Sequence, residues 1–268
     1  MPSERTVAGG KGAVLRIEGV SHCYSAGAAA LSGVSLSVGE GELVALIGAN
    51  GSGKSTLLRI LAGVLAPTEG RAHLPARSVI AYLSQDLELD PEMTFRETLS
   101  LLATLQGVPQ TEVPAAIDGA ARVFVLGPLL DRRISAASGG QRRRVHVAGG
   151  LLHPGARFFF LDEPTAGLDD EGSEVVFSEL GGRVQGGAAV VVATHEIERV
   201  AARASRVALL DGGRLVECDA PSALLDRHGQ SATAAGHPGD LRGVYRHLTG
   251  RDVAPPERRG GRGDRRRR

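Results

Sequence analysis

The stretch "ELVALIGANGSGKSTLLRILAGVL" joins an apolar segment typical of a buried strand to a helical segment through a glycine-rich turn. The turn, Gly48 to Ser55, fits the pattern G-x-x-x-x-G-K-[ST], and the helix after it ends near Gly63. Glycines let a backbone wrap around phosphate groups with its N–H groups pointing inward, and the helix N-terminus adds a favourable dipole. We therefore expect a phosphate-binding loop; a plain glycine-rich turn is the alternative.

The lysine of this turn is unusual for the composition of the chain. All but two of the 31 Lys and Arg residues are Arg, and the other lysine is Lys11 in a glycine-rich leader. Lys carries a compact point charge and Arg a broad planar fork, so the choice of Lys54 is consistent with a chemical demand. We expect Lys54 to reach the β- and γ-phosphates of a nucleotide and Ser55 to bind Mg²⁺.

Composition limits the class of protein. The 268 residues, 42% of them hydrophobic, suit one globular domain with an appendage. A net charge of +1 argues against electrostatic binding of nucleic acid. No apolar run has the length of a signal peptide core or a bilayer span, so we expect a soluble protein. The two cysteines, Cys23 and Cys218, suggest no disulfide framework and favour a reducing cytosol.

Alternating strand-like and helical segments predict an α/β fold. Residues 14–47 contain stretches typical of antiparallel strands, and the apolar strands "RFFFL", "AAVVVAT" and "RVALLD" are separated by helical segments. This pattern implies a largely parallel sheet covered on both faces, with a helical block at about 86–154 inserted between two strands.

We expect four regions along the chain. Residues 1–13 form a flexible leader, 14–220 the main domain, 221–250 a small C-terminal extension, and 251–268 a basic disordered tail. The arginines of the tail either contact anionic lipid headgroups or serve as a solubilising end.

A pair of acidic residues follows one of the predicted strands. "RFFFLDEP" places Asp162 and Glu163 directly after the strand, where carboxylates face the ligand crevice of an open α/β sheet. Asp162 suits coordination of magnesium, and Glu163 suits polarisation of an attacking water. An acidic turn ended by Pro164 is the alternative, and the phosphate-binding loop elsewhere in the chain disfavours it.

The stretch "AASGGQRRRV" predicts a helix start with unusual residues. Ser138, with Gln141 three residues later, forms a capping box. Gly139 and Gly140 then fall in the first turn, where each costs the helix up to about 1 kcal/mol relative to Ala. A plain cap needs no glycines, so two interpretations stay open at this point: a helix start alone, or a helix start whose backbone contacts another group. The arginines at 142–144 are expected to form a partly solvated helix face, with at most some contact to their own strand bundle or to nucleotide.

Four motifs together resemble a known family. "GANGSGKST", "ASGGQRRRV", "FFFLDEPTAGLDD" and "ATHE", in this order and spacing, closely resemble the ATP-binding subunits of ABC transporters, over roughly residues 14–220. The SGGQ signature separates this family from other P-loop ATPases. The resemblance implies a P-loop ABC ATPase core with a mostly parallel sheet, an N-terminal antiparallel β subdomain and an inserted helical signature subdomain. It also implies ATP and Mg²⁺ as ligands.

The resemblance assigns roles to the matching residues. The Walker A loop runs from Gly48 to Thr56, and its nucleotide-binding residues are Gly48, Asn50, Gly51, Ser52, Gly53, Lys54, Ser55 and Thr56. The signature, which contacts the nucleotide held by a second subunit, comprises Ser138, Gly139, Gly140 and Gln141, after Ala137 where the family usually has Leu. The Walker B pair is Asp162, a magnesium ligand, and Glu163, the general base.

Four further residues match single positions of the family. Gln85 matches the Q-loop glutamine, which contacts Mg²⁺ or water and links the site to the membrane partner. Asp169 ends the D-loop, and His195 matches the switch histidine. Tyr24 resembles the aromatic residue that stacks on adenine. A surface polar residue is the alternative for Gln85, and a structural histidine is the alternative for His195.

The resemblance also implies partners. Two ATP-binding subunits, expected to be two copies of this chain, meet head to tail so that each ATP lies between one Walker A loop and the other subunit's signature. A permease on a separate chain binds the subunits, which places them peripherally on the cytoplasmic side of the cell membrane. No specific nucleic-acid partner is expected. Family members that act on DNA carry long coiled coils and those that act on ribosomes carry tandem units, and this sequence has neither.

Three segments favour the drug-resistance-type (ABC-2) exporter group. They are "SQDLELDPEMTFRETLSLLATLQGVP", "SGGQRRRV" with Arg143 where many importers have Gln, and "LRGVYRHLTGRD" near the end. This resemblance implies export of a drug-like, lipid-like or other small substrate. The alternatives are an importer subunit and a non-transport ABC ATPase that acts on DNA or ribosomes.

Overall fold

The computed structural model describes residues 13–25, 27, 29–86 and 89–253. The predictions of a flexible leader and a basic disordered tail therefore fall almost wholly outside the described residues. Within these ranges, none of the helices combines the length and apolar character needed to cross a bilayer.

The described ranges contain nine strands and eight α-helices. The strands are β1 (Ala13–Cys23), β2 (Ala29–Gly39), β3 (Leu43–Ile47), β4 (Glu69–His73), β5 (Ile80–Leu83), β6 (Phe158–Asp162), β7 (Ala189–Ala193), β8 (Arg206–Asp211) and β9 (Arg214–Asp219). The α-helices are α1 (Lys54–Leu61), α2 (Phe95–Leu105), α3 (Val113–Val123), α4 (Gly139–Gly150), α5 (Asp170–Gln185), α6 (Ile197–Ala201), α7 (Pro221–Ala234) and α8 (Leu241–Thr249).

The strands form two sheets. The larger has the order β5-β6-β7-β3-β8-β9, in which every neighbouring pair is parallel except β8 with β9. The smaller is antiparallel, with the order β2-β1-β4. This architecture confirms the predicted fold class, a mostly parallel sheet with an antiparallel β subdomain, and α2, α3 and α4 lie between β5 and β6 in the chain.

The larger sheet has a hydrophobic core on each face. Alternate residues of a strand point to opposite faces, so Leu43, Ala45 and Ile47 of β3 belong to one core, and Val44 and Leu46 belong to the other. The helices α5, α6 and α8 and the inserted helices contribute to the first core. The helix α1 and the smaller sheet contribute to the second. Both faces of the larger sheet are thus covered. A ligand site is therefore expected at the carboxyl ends of its parallel strands.

Candidate functional site

The turn between β3 and α1 contains two glycines, Gly48 and Gly53, at positions that cannot hold a side chain. A Cβ atom at Gly48 would lie 2.3 Å from the Leu210 carbonyl oxygen and 2.4 Å from the Ser52 hydroxyl oxygen. Gly53 has a φ of 103°, and a Cβ atom there would lie 2.5 Å from the Ala30 carbonyl oxygen. The turn therefore keeps its backbone bare because neither position has room for a side chain.

The helix α1 begins directly at Lys54 with its first N–H groups free. Gly53 precedes it and provides no side-chain cap, so the N–H groups of the first turn have no partner within the helix. The buried Lys54 ammonium donates hydrogen bonds to the carbonyl oxygens of Gly48 (2.7 Å) and Ala49 (3.2 Å). The Ser52 hydroxyl is buried without a hydrogen-bond partner among the described atoms. Free donors and a buried cation together form a cradle for an anion.

The carboxyl end of β6 places an acidic group beside this cradle. Asp162 is buried, and burial raises the pKa of its carboxyl group, while the neighbouring Ser55 hydroxyl acts in the opposite direction. Burial lowers the pKa of the Lys54 ammonium, and the carboxylates of Glu163 and Asp162 counteract that effect. The loop lysine and the acidic pair therefore share one charged environment.

Glu163 is held in an unusual backbone conformation next to His195. Its φ is 48°, a left-handed value that costs a non-glycine residue about 1–2 kcal/mol. The Glu163 N–H donates to the Ala193 carbonyl oxygen (2.9 Å), and the His195 N–H donates to Oε2 of Glu163 (3.3 Å). Nε2 of His195 lies 3.0 Å from Oε1 of Glu163. The ends of β6 and β7 thus hold the Glu163 carboxylate in place. Backbone strain of this kind is found at functional sites.

Burial shifts the pKa values of Glu163 and His195 in the directions that favour their uncharged forms. Burial raises the pKa of the Glu163 carboxyl group and lowers the pKa of the His195 imidazole. The shifts favour a neutral imidazole, which can donate or accept a hydrogen bond at either side of its ring. A carboxylate with a raised pKa is a better proton acceptor than an ordinary one.

The signature forms the N-terminus of α4, as the sequence predicts. The Gln141 N–H donates to the Ser138 hydroxyl oxygen (3.2 Å), and Oε1 of Gln141 accepts from the Ser138 N–H (3.0 Å), which confirms the capping box. Among the described residues outside its own helix turn, a Cβ atom at Gly139 would meet no atom within 4 Å, whereas one at Gly140 would lie 3.3 Å from the Gly167 carbonyl oxygen. The packing of this chain therefore gives a reason for Gly140 but none for Gly139.

Asp169 links the D-loop to the signature helix. Its Oδ1 accepts a hydrogen bond from the Gly172 N–H (2.9 Å) and so caps the N-terminus of α5. The Arg144 guanidinium donates to both of its carboxylate oxygens, at 3.0 and 3.2 Å. The backbone N–H of Gly172 and the Arg144 side chain together lower the pKa of Asp169.

Arg143 corrects the interpretation of the arginine triplet. We expected residues 142–144 to form a partly solvated face, but Arg143 is only 5% exposed. Its guanidinium donates to the carbonyl oxygens of Gln85 (3.0 Å) and Ala166 (3.2 Å). The Gln85 side chain, in contrast, lies at an exposed position. Arg143 therefore joins the Q-loop, the signature helix and the segment after Glu163, a role that the sequence pattern did not indicate.

Replacing Arg143 tests this bridge. Arg143→Met keeps the apolar stem but removes both hydrogen bonds, so we expect the free energy of unfolding to fall by about 1–3 kcal/mol. Denaturant titration measures the change. The control is Arg122→Met, because the exposed Arg122 bonds, among the described residues, only to the Asp118 carbonyl oxygen of its own helix. Equal midpoints for the Arg143 and Arg122 variants would contradict the bridging role.

Tyr24 lies beside α1. Its hydroxyl is 3.2 Å from the Thr56 hydroxyl oxygen, and its ring meets the His22 ring edge-on at a centroid distance of 4.7 Å. The residue is nevertheless 40% exposed. An exposed aromatic ring anchored at the phosphate-binding helix is suited to contact a flat ligand.

Comparisons with known proteins identify the family. Residues 31–166 match the family model for ABC transporters. A cobalt import ATP-binding protein, CbiO, of Rhodobacter capsulatus is 35% identical over 228 residues, which cover 79% of this chain and 80% of that protein. A glycerol-3-phosphate import ATP-binding protein, UgpC, of Rhizobium meliloti is 33% identical, and the match covers 80% of this chain and 64% of that protein. A macrolide export ATP-binding/permease protein, MacB, of Brucella melitensis is 32% identical, and the match covers 85% of this chain and 39% of that protein.

Solved structures agree with the family assignment. An ATP-binding subunit of an ABC transporter superposes with a TM-score of 0.73 at 25% identity, covering 81% of this chain and 93% of that chain. The ATP-binding cassette MJ0796, a dimer bound to ADP and phosphate after hydrolysis, superposes with a TM-score of 0.69 at 26% identity, covering 77% of this chain and 98% of that chain. The present chain belongs to the ABC transporter family, as an ATP-binding subunit that hydrolyses ATP.

Proposed function

We propose that the cluster of buried charges at the carboxyl ends of β3, β6 and β7 is the catalytic half-site for ATP hydrolysis. The observation that carries this proposal is the common environment of Lys54, Asp162 and Glu163 around the open N-terminus of α1. Phosphoryl transfer to water depends on positioning and charge stabilisation more than on covalent chemistry. These side chains supply both positioning and charge stabilisation. In the proposed site Lys54 binds phosphate, Asp162 faces a metal ion and Glu163 accepts a proton.

The residues present also fit Mg²⁺. Among the described residues, no cluster of three or more His, Cys, Asp or Glu forms a complete metal cage. Mg²⁺ at nucleotide sites needs none, because it retains waters and phosphate oxygens and takes only one or two protein ligands. Ser55 and the neighbouring Asp162 would be those ligands, with Gln85 as a further candidate. When bound, the ion neutralises charge on the phosphates.

Within this half-site we assign separate roles to the remaining residues. Glu163 accepts the proton of the attacking water, and His195 orients its carboxylate and contacts the transferred phosphate. The bare backbone from Gly48 to Gly53 and the hydroxyls of Ser52 and Thr56 surround the phosphates. The exposed ring of Tyr24 stacks on adenine.

We propose that a second copy of the chain completes the site. Ser138 and Gly139 are exposed at the N-terminus of α4, where unpaired N–H groups attract an anion. The open space at Gly139 supports this arrangement, since no described residue outside its own helix turn lies within 4 Å of a Cβ atom placed there. The signature of one copy then contacts the γ-phosphate that the other copy holds. Hydrolysis weakens the contact and lets the dimer open.

We propose that the dimer drives a permease on a separate chain and associates with the membrane through it, on the cytoplasmic side. Export is the proposed direction, supported by the resemblance of three segments to drug-resistance-type exporters. Import is a second candidate, because CbiO and UgpC are named as import proteins. Sequencing the genes that are co-transcribed with this one tests the direction. A six-span permease alone supports export, and a gene for a solute-binding protein supports import.

Replacing Lys54 tests the half-site. Lys54→Ala removes the buried ammonium, and we expect the ATP dissociation constant to rise at least about 10-fold, because charge-assisted contacts to phosphate are lost. Isothermal titration calorimetry measures the constant. Arg71→Ala, at an exposed position of β4, is the control and should bind ATP as the wild type does. Unchanged affinity in Lys54→Ala would refute the phosphate-binding role.

The ATPase rate itself separates transport from other uses of the fold. The rate of the wild-type protein should not respond to DNA or to ribosomes, whose binding a net charge of +1 does not favour. Strong stimulation by either would contradict the proposed coupling to a permease.

A further inference from the structure

The C-terminal helix α8 reaches the phosphate-binding loop through one tyrosine. Tyr245 has 0% exposure and is one of the largest fully buried side chains. Its hydroxyl accepts a hydrogen bond from the Ala49 N–H (2.9 Å) and donates one to the Leu210 carbonyl oxygen (3.2 Å). The hydroxyl therefore connects α8, the loop and the end of β8, and both its donor and acceptor functions are used.

Tyr245 and Lys54 hold the same peptide group. The Gly48 carbonyl and the Ala49 N–H belong to one peptide unit, and in a trans peptide they point to opposite sides. The carbonyl oxygen accepts from the Lys54 ammonium at 2.7 Å, while the N–H donates to Tyr245. The orientation of this peptide thus links the position of the lysine to the tyrosine hydroxyl.

The loop has little freedom to compensate for a lost contact on this side. The close approach of Gly48 to the Leu210 carbonyl oxygen, which excludes a Cβ atom, places the loop against the same oxygen that Tyr245 binds. A second contact braces the loop further along, where the Gly213 N–H donates to the Ser52 carbonyl oxygen (3.0 Å). Removing the hydroxyl would leave the part-buried Ala49 N–H without this acceptor.

The helix α8 is itself firmly placed. The Asp240 carboxylate caps it by accepting from the Gly243 N–H (2.8 Å), and a Cβ atom at Gly243 would lie 1.7 Å from the Pro238 carbonyl oxygen. Beyond the helix, Val253 is fully buried and its carbonyl oxygen accepts from Arg242 (2.6 Å). The tyrosine is therefore presented by a rigid element.

We propose that Tyr245 is a positioning residue for nucleotide binding, and that its hydroxyl sets the Gly48–Ala49 peptide and, through it, the place of Lys54. This inference rests on the proposed phosphate-binding role of Lys54. The hydroxyl acts on the loop and not on Glu163, which lies at the end of another strand. Its removal therefore lowers the affinity for ATP with little effect on the chemical step.

Tyr245→Phe tests the proposal because it removes the hydroxyl alone. We expect the KM and the dissociation constant for Mg-ATP to rise about 3- to 10-fold, the scale of one buried hydrogen bond, with kcat within about 2-fold of wild type. Hydrogen exchange followed by NMR should detect faster exchange at the Ala49 amide, because that N–H loses its acceptor. This second measurement needs no nucleotide.

The matched control removes another hydroxyl from the same helix. Thr249 donates to the Tyr245 carbonyl oxygen (2.8 Å) and accepts from the Arg251 N–H (3.1 Å), both near the end of α8. Thr249→Val should keep the wild-type KM and the wild-type exchange rate at Ala49. An equal rise in KM in both variants would mean that loosening of α8 is the cause, and would overturn the proposal.

Other outcomes also decide the question. An unchanged KM with unchanged Ala49 exchange in Tyr245→Phe would overturn the proposal, as would a fall in kcat alone. Fast exchange of the Ala49 amide in the wild-type protein would overturn it without any variant. Failure of the proposed half-site gives a different result, namely normal ATP affinity in Lys54→Ala. Faster Ala49 exchange in Tyr245→Phe would then still establish the hydrogen bond, but its proposed effect on ATP would be refuted.

Discussion

Glu163→Gln should bind ATP with wild-type affinity while its kcat falls about 100- to 10,000-fold, the range that a general base contributes. The amide has nearly the shape of the carboxylate, so the strained backbone and the hydrogen bond from the His195 N–H can persist. It cannot accept the proton of the attacking water. If hydrolysis opens the proposed dimer, the ATP-bound dimer should accumulate, and size-exclusion chromatography with ATP should detect it. Steady-state phosphate release measures the loss of turnover.

The control for this variant is a second isosteric change of charge. Glu171→Gln alters an exposed residue in the first turn of α5, and we expect it to hydrolyse ATP at the wild-type rate. Wild-type turnover in Glu163→Gln would refute Glu163 as the base. Loss of ATP binding in that variant would instead assign the buried carboxylate to the binding step.

Features with a local cause could be predicted from the sequence. The strand, glycine loop and helix around Lys54 lie within one short stretch, and the capping box at Ser138 and Gln141 depends on residues three positions apart. The acidic pair was predictable because a carboxylate after a buried strand lies at the ligand edge of the sheet. In each case the pattern and the contact are in the same segment.

Features with a distant cause could not be predicted. Arg143 is one of three consecutive arginines, and only the Q-loop carbonyl, far away in the sequence, distinguishes it from its neighbours. Tyr245 lies 196 positions from Ala49, so no spacing could connect them. The strands β4 and β9 were also not predicted, because their short segments contain several charged residues and β4 is largely exposed. Tertiary pairing formed these strands where local pattern was weak.

Gly139→Asp should fold at least as well as the wild-type chain and still lose hydrolysis by about 100- to 1,000-fold. A Cβ atom at Gly139 comes within 4 Å of no described residue beyond its own helix turn, and a carboxylate in the first turn of α4 interacts favourably with the helix dipole. In the proposed dimer, however, this carboxylate would approach the γ-phosphate held by the other copy and repel it. ATP affinity of the separate chain should be unchanged, because its own loop is intact. Denaturant titration and phosphate release measure the two effects.

A second Gly→Asp substitution, placed elsewhere in the chain, separates the effect of the position from the effect of adding a carboxylate. Gly181→Asp, in α5, also adds a side chain where a Cβ atom meets nothing within 4 Å, and it should keep wild-type turnover. Loss of turnover in both variants would show that any added carboxylate of this kind is harmful. Full activity of Gly139→Asp would contradict the assignment of the signature to an ATP site.

Mixing Lys54→Ala with Gly139→Asp, at an ATP concentration well below the dissociation constant of Lys54→Ala, tests whether the signature acts on the other copy. In a head-to-tail dimer of Lys54→Ala with Gly139→Asp, one site combines an intact loop with an intact signature, and the other site carries both defects. Random mixing should therefore restore up to about a quarter of wild-type turnover, since about half of the dimers are mixed and each has one working site. If Gly139 served the loop of its own chain, each copy would carry one defect and no mixture would recover. Recovery in the mixture would explain the open space beside Gly139 as room for the other copy. The glycine costs the helix stability, and no described residue outside its own helix turn comes within 4 Å of a Cβ atom placed there.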